Sequence, residues 1–141
     1  MKGLLIDTNV LSELRKGARA DVNVRRWFEG IDENSIFLSV LVTGEIRRGI
    51  ESIRKRDPRA ASALEHWLDD MMEAHSERVL PVDAATADEW GRLDARGSLP
   101  VVDGLLAATA RVHDLTLVTR NVKDVVRTGV DMLDPFAPAA Q

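Results

Sequence analysis

The chain has 141 residues, of which 45% are apolar, a formal charge of −4 and no cysteine. That length and apolar share suit one compact domain with an ordinary core, and the lack of cysteine excludes disulfides, thiolate zinc sites and a cysteine nucleophile. A sequence pI of about 5.4 excludes a protein that holds nucleic acid over its whole surface, so any such contact must be local.

Met1-Lys2 precedes an apolar run too short for a signal peptide, and no apolar stretch is long enough to span a bilayer. A soluble cytoplasmic protein without a membrane partner is the expectation. Leu4-Leu5-Ile6 is a continuous apolar run ended by Asp7-Thr8-Asn9, the pattern of a central parallel strand covered on both faces. A helix from about Thr8 to Arg15 should follow, and a second from Asp21 to Glu29, ending at Gly30. Ile36 to Ser39 reads as strand two.

Val40 to Lys55 is a long helix with Val42, Ile46, Ile50 and Ile53 on one stripe. Asp57-Pro58 breaks it, and Pro58 suits the first turn of a helix running to about Ala74, with Ala61, Leu64, Trp67, Leu68 and Met71 inward. Val79 to Val82 is a short strand at an edge or end, marked by Pro81. Asp83 can cap a helix from about Ala84 to Arg96. After a loop through Gly97 and Pro100, Val102 to His113 is helical and apolar or small on nearly every side, which predicts burial. Leu115 to Val118 is a fourth strand, Asn121 to Val126 a short helix, and Val130 to Leu133 a last strand. Strands alternating with helices predict an α/β fold, a mainly parallel central sheet flanked by helices. In such sheets ligands sit beyond the C-terminal ends of the strands, where strand order reverses.

Several carboxylates fall at that end. Asp7 follows strand one directly, where it can meet a ligand or simply cap the next helix. Glu45 lies about 60° to one side of the apolar stripe at 100° per residue; a carboxylate at that border needs a partner, and Arg48 could supply an ordinary ion pair. Asp103 opens a helix whose neighbours one turn on are Leu106, Ala107 and Ala110, so it is either a group favoured by the helix dipole or a ligand in a dry setting. Asn121 and Asp124 follow strand four, as a capping pair or as further ligands. Three or four carboxylates from separate segments at one end of a sheet repel one another unless cations intervene. Oxygen-only ligands suit Mg2+ or Mn2+, and such ions activate water against a phosphodiester.

Leu5-Ile6-Asp7-Thr8-Asn9, Thr43-Gly44-Glu45-Ile46, Val102-Asp103-Gly104-Leu105-Leu106-Ala107-Ala108-Thr109-Ala110 and Val118-Thr119-Arg120-Asn121 resemble, in order, the successive signatures of PIN-domain proteins of the VapC/FitB type. The likeness runs from the first strand to the C-terminal tail, so a single PIN domain over residues 1–141 is expected. It implies a Mg2+- or Mn2+-dependent endoribonuclease that hydrolyses RNA, the toxin of a toxin–antitoxin pair. It also implies a cognate VapB-like antitoxin that occludes the site, and a homodimer. Asp7, Glu45 and Asp103 would be metal ligands, with the Thr119 hydroxyl beside them, and Thr8 and Asn9 match the polar residues after the first aspartate. One departure stands out. Several relatives carry an aspartate directly after Thr-Arg, where this chain has Asn121. Asp124 is therefore expected as the fourth carboxylate and metal ligand.

Other readings fare worse. A haloacid-dehalogenase-type phosphatase needs a second aspartate where Asn9 stands, and no Gly-x-Gly or Gly-x-x-x-x-Gly-Lys loop follows a strand. His66, His75 and His113 are scattered and read as surface or packing residues. Trp27, Trp67 and Trp90 read as core rather than as base-stacking platforms. Arginine clusters at Arg15-Lys16-Arg19, Arg25-Arg26, Arg47-Arg48 and Arg54-Lys55-Arg56-Arg59 fit solvated helix faces as readily as an RNA contact. The surviving alternative is a PIN-like module that binds RNA or protein without cutting.

Overall fold

A computed structural model describes residues 2–138. Its strands are β1 (Leu4–Ile6), β2 (Ile36–Ser39), β3 (Val79–Leu80), β4 (Thr116–Val118) and β5 (Met132–Leu133). They form one sheet in the order β3-β2-β1-β4-β5, with every neighbouring pair parallel. Consecutive residues Leu5 and Ile6 are both fully buried, as are Leu117 and Val118. Successive strand residues face opposite sides, so the central strands are covered on both faces, which is why their sequence is a run rather than an alternation. Leu4 pairs with Ile36 on one side and Thr116 on the other, which places β1 at the centre.

The helices are α1 (Thr8–Leu14), α2 (Val22–Glu29), α3 (Val40–Ile53), α4 (Pro58–Ala74), α5 (Ala84–Arg96), α6 (Val101–Val112) and α7 (Val122–Val125). Four begin on the side-chain caps that their sequences supply. Asp21 accepts from the N–H groups of Asn23 and Val24, Ser39 from Leu41, Asp57 from Ala60 and Asp83 from Thr86, each satisfying a donor that the helix start leaves over. Val42, Ile46 and Ile50 of the α3 stripe are buried. The outer face of α3 is tied to α4 by Arg47 and Arg54, which share Glu51 and Glu65. All three tryptophans pack against the core while remaining partly exposed. No helix among the described residues is long and apolar enough to cross a membrane.

Several expected boundaries move by one or two residues, among them the ends of α3 at Ile53 rather than Lys55 and of β3 at Leu80 rather than Val82. The strand after α6 starts at Thr116 rather than Leu115. The last strand keeps only Met132 and Leu133, and a 3₁₀ turn over Val126–Thr128 with Gly129 at φ 72° precedes it. The helix expected from Val102 starts at Val101, after Pro100. Its middle is buried as predicted, from Leu106 to Ala110, whereas Val101 at its first turn is 60% exposed.

Gly104 lets α5 and α6 approach. A Cβ there would lie 3.0 Å from the Trp90 indole ring, whose N–H is buried without a partner among the described residues. Gly104→Ala is therefore expected to destabilise the fold, overpacking of about 1–3 kcal/mol against the ring outweighing the gain of about 1 kcal/mol that alanine brings to a helix interior, read as a lower urea midpoint. An unchanged midpoint would mean that Trp90 yields without cost.

Candidate active site

From β1 the chain builds β2 and β3 to one side and then β4 and β5 to the other, so strand order reverses between β1 and β4. The crevice beyond the C-terminal ends of these two strands is where an α/β sheet offers a ligand site. Asp7 and Thr119 are the residues that leave β1 and β4 there. The Asp7 N–H extends the sheet by donating to the Val118 carbonyl at 2.9 Å.

The Asp7 carboxylate is 6% exposed and held at both oxygens. Oδ1 accepts from the Thr8 N–H at 2.7 Å, and Oδ2 from the Thr119 hydroxyl at 2.8 Å. Thr119 is itself fully buried, and its Oγ1 accepts from the Asn121 N–H at 3.0 Å. Asp7 thus bonds only the first N–H of α1 rather than the second or third that an ordinary cap serves, and its other oxygen is turned to β4. Burial pushes its pKa above the usual carboxylate range; the Thr119 and Thr8 donors pull it back, and the charge of Glu45 pushes it further up.

Glu45, half-buried on α3, makes no ion pair with Arg48 among the described residues, contrary to the simple reading of their i, i+3 spacing. Its Oε1 accepts from the Thr8 hydroxyl at 2.7 Å instead, so Thr8 links the two carboxylates through its backbone and its side chain. Asp103 lies in the first turn of α6, and no hydrogen bond or ion pair to its side chain occurs among the described residues. Its pKa is raised first by burial, then by the charges of Asp7, Asp124 and Glu45. Asp103 therefore feels the other three carboxylates, and Asp7 feels Glu45, across the end of the sheet.

Asp124 is exposed, in the single turn of α7. Asn121, expected as the cap of that helix, makes no side-chain cap bond; its backbone N–H is committed to Thr119, and the turn closes through Asp124 N–H to the Asn121 carbonyl at 3.2 Å. His75 bonds the Met71 carbonyl within its own helix, while His66 and His113 are exposed. One contact had no sequence signal. Asn9 Oδ1 accepts from the Arg120 N–H at 3.3 Å, tying α1 to the segment after β4.

Among the described residues no three Asp, Glu or His side chains are gathered closely enough to enclose an ion as they stand. The donor chemistry is nonetheless that of a hard cation: oxygen only, an excess of negative charge, and Asp7 and Asp103 raised by burial and by neighbouring carboxylates. A hard divalent ion that keeps waters between itself and part of its ligand shell fits that set.

In the metal-free protein the raised Asp7 and Asp103 oppose folding once ionised. A carboxyl whose folded pKa exceeds its unfolded value contributes its stability below the unfolded pKa, and loses it as pH rises through the folded one. Asp103→Asn, which sacrifices no hydrogen bond, should raise the melting temperature in EDTA at neutral pH. The difference from wild type should shrink as pH falls through the carboxylate range. A variant that melts lower than wild type at pH 7 would contradict the repulsion.

Similar proteins have the same organisation. VapC ribonuclease Y4jK of Sinorhizobium fredii is 30% identical over 96% of this chain and 99% of its own. FitAcB from Neisseria gonorrhoeae superposes with a TM-score of 0.72 at 23% identity, covering 94% of this chain and 98% of that one. A toxin–antitoxin complex from Klebsiella pneumoniae gives 0.68 at 23% identity over the same shares. Residues 4–128, from the first strand to the turn before the last, match the PIN domain, and the chain belongs to the PIN-domain family.

Proposed function

We propose that this chain, as one PIN domain, is a Mg2+- or Mn2+-dependent endoribonuclease of the cytoplasm and the toxin of a toxin–antitoxin pair. What supports the reading is Asp7 at the reversal of strand order, Glu45 joined to it through Thr8, and Asp103 raised in part by the charges of Asp7, Asp124 and Glu45. Holding those charges together costs stability, and a cation that assists phosphodiester hydrolysis offsets it. The ribonuclease name of the Sinorhizobium relative agrees.

The chain's own residues prepare the reaction. Thr119 and the Thr8 N–H fix Asp7 in one rotamer, and the Thr8 hydroxyl aims Glu45, so neither carboxylate must be reoriented when a substrate arrives. Asp103, with no donor on its oxygens among the described residues, keeps its lone pairs for a ligand. Asp7, Glu45, Asp103 and Asp124 would hold the metal, with Thr119 supporting the first. When bound, the ion would polarise the phosphodiester and make water a nucleophile at neutral pH. The test is incubation of single-stranded RNA with the protein and Mg2+ or Mn2+ against EDTA. Fragments that appear only with metal are expected. RNA that is bound but left intact would identify a non-cutting module instead.

Asp124 is proposed as the fourth ligand rather than Asn121, because a charged oxygen offsets more of an ion's lost hydration than an amide oxygen does. Asp124→Asn should shift the Mn2+ dependence of cleavage to higher concentration, and Asn121→Ala should not. A shift confined to Asn121→Ala would reverse the assignment.

An active ribonuclease harms its own cell unless masked, and the structural relative from Klebsiella is a toxin–antitoxin complex. We expect a small antitoxin that lays a basic side chain on the carboxylate cluster, and a toxin that forms homodimers. Purification from the native cell should give the complex, and light scattering of the released toxin a dimer mass.

A further inference from the structure

The basic clusters of the sequence divide once their partners are known. Lys16 pairs with Glu13, Arg25 donates Nε to the Ala20 carbonyl, and Arg47 and Arg54 share two glutamates. Arg120 lies outside all of those clusters. It follows Thr119 directly and its N–H is fixed to Asn9, yet it makes no ion pair among the described residues. Its guanidinium carbon lies 4.4 Å from the centroid of the Phe136 ring. A cation seated on a ring face is held in place while its N–H donors stay available to an anion.

Phe136 is held in turn. Its N–H donates to Asp134 Oδ1 and its carbonyl accepts from Asn23 Nδ2, both at 2.9 Å. Asn23 and Asp134 also line a cavity of about 390 Å³, with Trp27 and Pro135 as apolar walls and Arg26 at its edge. The contacts run without a break from Asn9 at the carboxylate cluster through Arg120 and Phe136 to this cavity. In a chain of net charge −4, an RNA strand needs local cations to approach four carboxylates. Arg120 and Arg26 are exposed and placed to supply them.

We propose that Arg120 and the Trp27 cavity form a nucleotide subsite for the RNA substrate: Arg120 takes a phosphate next to the scissile one, and the cavity takes a base. The proposal rests on the ribonuclease reading. Trp27 offers flat, partly exposed apolar surface for stacking, and Arg26 and the free oxygen of Asp134 offer a donor and an acceptor to a base edge. Single-stranded RNA is read by this combination of stacking and edge hydrogen bonds.

The test is fluorescence anisotropy with a fluorescein-labelled single-stranded RNA of mixed sequence, in EDTA over a salt series, with cleavage in Mn2+ read separately on a gel. Arg120→Ala should weaken binding about tenfold and lower the slope of log affinity against log salt by about 0.7, the value for one phosphate on a single strand. Trp27→Ala should weaken binding at least fivefold with the slope unchanged, and Trp27→Phe should restore most of it. The Arg120 side chain is exposed, so Arg120→Ala stays informative even if Trp27→Ala fails to fold. Failure of wild type to bind this RNA, or binding by Arg120→Ala within twofold of wild type with the salt slope unchanged, overturns the subsite. Cleavage by wild type in that case leaves the ribonuclease reading standing. The expected binding losses without any metal-dependent cleavage would keep the subsite and remove the nuclease.

Discussion

Asp7→Asn is expected to leave the protein folded and to lower RNA cleavage by about 10³-fold or more, since the lost metal stabilisation of the transition state is several kcal/mol and each 1.36 kcal/mol is about tenfold in rate. The substitution separates charge from packing. An asparagine in the same rotamer still accepts from the Thr8 N–H at nearly the same volume, but its amide NH2 faces Thr119 Oγ1 as a donor, so the Thr119 hydroxyl proton loses its acceptor and a stability loss of about 1–3 kcal/mol accompanies the change. Glu45→Gln and Asp103→Asn should fail in the same way, with growth inhibition on expression lost in parallel. Initial rates in Mn2+, with circular dichroism as the fold control, decide the matter. If all three variants are folded and cut RNA at the wild-type rate, the carboxylate site is wrong.

Thr119→Val is expected to damage both stability and activity, because one buried hydroxyl serves two partners. It donates to Asp7 Oδ2 and accepts from the Asn121 N–H. Valine fills the same space and leaves a buried carboxylate oxygen and a backbone N–H without partners. Each unsatisfied group costs about 1–3 kcal/mol, so a loss of roughly 2–4 kcal/mol in urea unfolding is expected. Cleavage should fall as Asp7 loses its second anchor, and Thr119→Ser, which restores the hydroxyl, should recover most of both. A valine variant as stable as wild type would show that water replaces the hydroxyl without penalty.

The raised carboxylates and the helix contacts bear on how such a site is tolerated. Its acidic side chains come from β1, α3, α6 and the segment after β4, each anchored in the core by neighbours such as Ile6, Ile46, Leu106 and Val118. Repulsion among them acts against the burial of those apolar neighbours, which is the larger effect in folding as a whole. That is why charge-neutralising changes at Asp103 should stabilise the protein while removing its chemistry.

The sequence by itself determined the strands and helices, because runs such as Leu4-Leu5-Ile6 and the Val42/Ile46/Ile50 stripe are local statements about which faces are buried. It also singled out Asp7, which ends a parallel strand at the rim of the sheet, while Glu45, Asp103 and Thr119 rested as well on the likeness to PIN-domain signatures. Pairings set by side-chain direction were not local. Glu45 turned to Thr8 and not to Arg48, Asn121 used its backbone rather than its side chain, and Arg120 met Phe136 across the end of the sheet. In each case several partners lay within reach along the chain, so spacing alone left the choice open. Only the tertiary structure decided among them, because sheet order brings together residues more than a hundred positions apart, as with Asp7 and Thr119. The buried hydroxyl then bonds the Asp7 oxygen that would otherwise lack a donor.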